Sequence, residues 1–124
     1  MLAPLVDDDN VDRLLDSLGG DAGVQVIAVW LQSLDDRVRA ILAAVDTSDR
    51  AGLEFAVHTL RGASLYVGAV RLAETCSTIG SGLREGAHPG SFTDLVARLD
   101  VDAADTREAL LTAIQRRREG SHAD

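Results

Sequence analysis

Apolar side chains recur at steps of four and three in four successive segments of this 124-residue chain, and no other feature restricts its fold as strongly. The first long run is Ile27, Leu31, Leu34, Val38, Ile41 and Val45, and the next is Leu53, Val57, Leu60, Ser64 and Val67. Leu72, Cys76, Ile79 and Leu83 follow, then Leu95, Leu99, Ala103, Thr106, Leu110 and Ile114. That spacing puts one apolar stripe on each of four helices, as a helix bundle requires. Alternation with period two is absent, so strands are not expected.

The breaks between stripes set the helix limits. A short helix over about 10–18 has cap candidates at Asp9 and Asn10, an inward side of Val11, Leu14, Leu15 and Leu18, and Gly19-Gly20 as its stop. Long helices are expected over about 22–45, 48–67, 69–84 and 92–118. The cap-rich Asp46-Thr47-Ser48-Asp49 parts the second helix from the third, and Gly86-Ala87-His88-Pro89-Gly90 parts the fourth from the fifth. Asp100 and Asp102 interrupt the last stripe. Short connections imply antiparallel neighbours, so the expected fold is all-α. It is an antiparallel up-down four-helix bundle with a short additional N-terminal helix, one domain over 1–124 with mobile ends at about 1–8 and 119–124. Met1 and the short tail after Gly120 suit a free-standing protein.

Charge narrows the function. The chain carries a net charge of −8, all twelve of its basic residues are arginine, and it has no electrostatic footprint for nucleic acid or an anionic membrane. Arg116-Arg117-Arg118 is read as complementing the dipole at the last helix's end. No apolar run is long enough to span a bilayer, and the lone Cys76 makes no internal disulfide, so a cytoplasmic protein is expected. The three histidines fall on a helix face (His58), in a loop (His88) and in the tail (His122), which is no metal site. Cys76 reads as a small core residue and Trp30 as edge-of-core packing.

His58 is the residue that packing does not explain. On a wheel of 100° per residue, Val57, Leu60, Ser64 and Val67 fall within roughly 40° of Leu53, and His58 points about 140° away. Ala51, Phe55, Leu65 and Ala69 surround it, a weakly charged face suited to docking another protein. Gly62 costs its helix about 1 kcal/mol relative to alanine and, at i+4, clears the approach to the ring. Arg61 at i+3 supplies a cation for an arriving anion. An exposed imidazole, open access and a nearby cation suit a nucleophile that receives a phosphoryl group.

At these residues the sequence resembles the histidine-containing phosphotransfer (HPt) domains of bacterial phosphorelays. Val57-His58-Thr59-Leu60-Arg61-Gly62-Ala63-Ser64, with Gly68 ten residues beyond the histidine, is similar to the family's motif, and Ala69 to Cys76 to its next helix. The resemblance implies a monomeric phosphocarrier without kinase activity or a cofactor of its own. His58 would accept a phosphoryl group from an aspartyl phosphate on a receiver domain, that of a hybrid sensor kinase or a response regulator, and pass it to another receiver's aspartate. Magnesium would belong to the receiver. Arg61 stands where the family usually has lysine, and Gly80, followed by Ser81 and Gly82, stands where it often has a polar residue. That run also predicts a loose end to the fourth helix. The competing reading is a helical adaptor that binds receiver or kinase domains without carrying phosphate.

Overall fold

The computed structural model describes residues 3–122, and within them the chain forms five α-helices and no strand. They are α1 (Asp8–Leu18), α2 (Gly20–Asp46), α3 (Arg50–Val67), α4 (Val70–Arg84) and α5 (Thr93–His122). Helix α3 packs between α2 and α4, and α5 closes the four-helix ring against α2 and α4. Helix α1 lies outside this ring against α2 and α3. The expected bundle is present, with the stripes of α2, α3 and α4 buried throughout.

Local chemistry sets the ends. Asp7, not Asp9 or Asn10, caps α1, its carboxylate accepting from Asn10 N. Its own N–H donates to Gly68 O at 2.8 Å, tying the N-terminal segment to the α3–α4 turn. Asp49 caps α3 through Gly52 N, so α3 begins two residues later than the spacing predicts. Gly68, at φ 81°, takes the left-handed conformation that reverses the chain after α3. The loop after α4 forms a 3-10 turn over Pro89–Phe92, capped by His88, whose Nδ1 accepts from Gly90 N. Phe92 is thereby buried against the core.

Three expectations of packing change. Leu18, the last residue of α1, is 40% exposed at the rim, because the chain turns into α2 directly behind it. Val96 takes the core position expected of Leu95, which is only half-buried. Arg117 reaches across to Asp12 and Asp16 of α1, and α5 runs on to His122, so this arginine fastens two helices together rather than marking a helix end. The Asp100–Asp102 region does not break α5. Asp100 is exposed, while the buried Asp102 faces Arg71 of α4 at 3.8 Å. Trp30 joins the core at 5% exposure. The expected mobile ends include residues 1–2 and 123–124, which lie outside the described residues.

Leu60 is fully buried at the centre of this packing and Phe55 is 73% exposed. Leu60→Ala is expected to lower unfolding stability by about 2–5 kcal/mol, and Phe55→Ala by no more than about 0.5 kcal/mol, both read from urea denaturation.

Candidate functional site

Burial of the α3 stripe turns the opposite side of that helix outward, and α4 runs beside it to leave a groove. The groove has a volume of about 790 Å³. Helix α3 supplies Ala51, Glu54, Phe55, His58 and Arg61 to its wall, and α4 supplies Ser77, Gly80, Ser81 and Arg84. Val57 and Cys76 form the floor. His58 is exposed, and its ring makes no hydrogen bond with the described residues. Both ring nitrogens are therefore open to an incoming group.

Arg61 is held in place across the groove. Its Nε donates to Ser77 Oγ at 2.7 Å, and no carboxylate of the described residues lies within ion-pair distance. The serine orients the guanidinium without neutralising it, which leaves its charge for a ligand. Gly62 sits on the open shoulder beside His58, and a methyl group there would meet nothing within 4 Å. The protein itself therefore does not require glycine at this position.

The expected docking face divides. Ala51 and Phe55 line the groove, and Leu65 is 44% exposed farther along α3. Ala69 does not belong to that face: it is fully buried. Helix α3 ends at Val67 and Gly68 reverses the chain, so Ala69 is the residue that precedes α4, and the wheel of α3 no longer describes it.

Glu54, Ser77, Ser81 and Arg84 were not foreseen as groove residues. Ser77 and Arg84 stand one position beyond Cys76 and Leu83 of the buried stripe, and Ser81 lies one turn beyond Ser77. A wheel of α4 shows that side, but nothing in one helix says which neighbour it faces. Cys76 lies beneath the groove at 1% exposure, and burial pushes its thiol up from 9.0 to about 12, with the Arg61 charge opposing in part. Among the described residues no group of three or more His, Cys, Asp or Glu could hold a metal ion, and no helix is long and apolar enough to cross a membrane.

The Hpt domain family model matches residues 25–119. The chain belongs to the Hpt domain family. Members of this family serve histidine phosphotransfer in phosphorelays as carriers, not kinases, and work with receiver domains. The fold agrees with solved Hpt structures. Histidine-containing phosphotransfer protein B from Pseudomonas aeruginosa is 24% identical, with a TM-score of 0.79 over 92% of this chain and 97% of that one. The HPT domain of a hybrid sensor histidine kinase from Shewanella is 20% identical, with a TM-score of 0.76 over 90% and 95% of the two chains. No curated protein matches the chain in sequence.

The raised Cys76 value gives this Hpt domain a signed pH response. The folded state favours the neutral thiol, so this contribution to stability is intact below about pH 9 and is lost as pH rises towards 12. At pH 8 a disulfide reagent is expected to leave the native thiol unmodified and to label it fully once urea unfolds the chain.

Proposed function

We propose that His58 is the phosphoacceptor of this Hpt domain, taking a phosphoryl group from a receiver aspartyl phosphate and delivering it to the aspartate of another receiver. The observation that carries this is an exposed imidazole on the wall of a groove, beside a guanidinium; among the described residues the first makes no hydrogen bond and the second has no carboxylate partner. His88 is a poorer candidate, since its Nδ1 already accepts from Gly90 N within a turn.

In the step itself, the unprotonated ring nitrogen forms the new N–P bond with its lone pair. The P–O bond to the donor carboxylate breaks, and that carboxylate leaves with the bonding electrons. The ring is left as a phosphoimidazolium whose other nitrogen keeps its proton until solvent removes it. Delivery to a second receiver is the reverse exchange. Charge in the transition state spreads over the three equatorial phosphoryl oxygens, where Arg61 contributes attraction. Magnesium, held by the receiver, supplies its own charge to the same oxygens when bound. Phe55 and Leu65 offer apolar contact for the receiver around the transfer site. On this reading the protein acts as a cytoplasmic monomer.

The test is transfer from a labelled phospho-receiver. Acid-labile, base-stable label is expected on the wild type and none on His58→Gln; binding without label would support the adaptor instead. Gly62→Trp is expected to cut the transfer rate at least about tenfold without lowering the thermal unfolding midpoint, since a Cβ there meets nothing within 4 Å and the helix no longer carries a glycine. An unchanged rate would remove the steric role assigned to Gly62.

A further inference from the structure

The groove that holds His58 has charged groups on both walls, and a single one of them is an anion. Arg61 of α3 and Arg84 of α4 are the cations, and each donates to a neutral serine of α4, Ser77 Oγ at 2.7 Å and Ser81 Oγ at 3.1 Å. Cys76 on the floor is a thiol that burial keeps neutral. Glu54 is the one carboxylate among the residues that line the groove. It stands four residues before His58 on α3, so the two side chains share a face one turn apart.

The contacts of Glu54 leave it free to turn to the ring. Its carboxylate makes no hydrogen bond among the described residues, and its ion-pair partner there is Arg50 Nη1 at 3.8 Å. That separation is beyond hydrogen-bond range, and both side chains are about half exposed. Arg50 keeps its place without the pair, since it donates to Leu83 O at 2.7 Å and Ala87 O at 2.6 Å. The His58 ring is also without a hydrogen bond, and no carboxylate of the described residues lies within 4.0 Å of it. A neutral ring has little to draw Glu54 from its resting position. A ring that has taken a phosphoryl group is different, because it carries a proton and a positive charge at its second nitrogen. Arg50, Arg61 and Arg84 oppose that charge, and Glu54 is the group of the walls that attracts it. A carboxylate one turn N-terminal to a cation is the favourable order on a helix.

We propose that Glu54 is a positioning residue for phosphoryl transfer, turning from Arg50 to accept the N–H of the His58 ring once the ring carries the phosphoryl group. This rests on His58 being the phosphoacceptor. The contact fixes the plane of the ring and keeps the proton on the nitrogen that is not bonded to phosphorus. In delivery the N–P bond breaks and its electrons return to the ring nitrogen. The ring then leaves as neutral imidazole, because its second nitrogen still holds the proton. Without that proton it would leave as an anion, which is a far poorer leaving group.

The experiment uses the full chain labelled with phosphoramidate, so that no receiver group is present. In labelling, the donor's P–N bond breaks, ammonia leaves with the bonding electrons, and the ring nitrogen forms the new N–P bond. Loss of the label to water is then followed by phosphorus NMR as a function of pH. Water oxygen bonds to phosphorus as the N–P bond breaks, and the rate falls as rising pH strips the ring of its proton. In Glu54→Gln the midpoint of that fall is expected at least about 0.3 of a pH unit below the wild type, which makes the loss about twofold slower on the alkaline side. Glu54→Asp keeps the charge on a shorter side chain and is expected to recover less than half of the shift. Both variants are expected to fold, since Glu54 is half exposed and gives up no hydrogen bond, and thermal unfolding checks this. An unmoved midpoint in Glu54→Gln overturns the proposal. Full recovery in Glu54→Asp overturns it too, because the field of the charge would then suffice without contact. No label on the wild type, or label retained in His58→Gln, overturns the phosphoacceptor assignment beneath it. If the label is confined to His58 and the midpoint does not move, only the role of Glu54 falls.

Discussion

The packing of α3 between α2 and α4 is the constraint from which the site follows. Leu53, Leu60 and Ser64 are fully buried, and Val57 and Val67 nearly so. With that stripe inward, a residue about 140° around the helix has to face out. His58 is therefore held on a rigid, well-packed helix while its ring stays in solvent. Such an arrangement combines fixed position with free access, which a phosphoacceptor needs.

The second wall depends on one small residue above all. At Gly82 a Cβ would come 2.7 Å from Phe92 Cζ, so this glycine makes room for the ring that closes the 3-10 turn over the core. At Gly80, by contrast, a Cβ would make only an ordinary 3.5 Å contact with Arg84 Nη1. Each glycine costs its helix about 1 kcal/mol. The run does not leave the end of α4 loose, because Arg50 ties Leu83 O and Ala87 O to the start of α3. The same contact keeps the two walls of the groove in register.

How far the site could be read in advance depends on the kind of signal each residue carries. His58, Arg61 and Gly62 stand within one turn of one helix, where periodicity alone gives their direction, and Ala51, Phe55 and Leu65 share that advantage. Ala69 does not, since the left-handed Gly68 cuts the helix before it. Ser77, Ser81 and Arg84 belong to the groove only because α4 turns that side to α3 rather than to α5. Asp102 is similar: its buried carboxylate looks like an interruption along the chain, and only the position of Arg71 on α4 makes it tolerable.

The sequence by itself determined the bundle, the length and inward side of most helices, and the outward direction of His58. These follow from side-chain spacing and the geometry of a helix, which need no knowledge of neighbours. Tertiary structure decided which helices adjoin, and with that the groove and the serine of α4 on which Arg61 of α3 rests. Those features arise between helices, where distance in space is not fixed by distance along the chain.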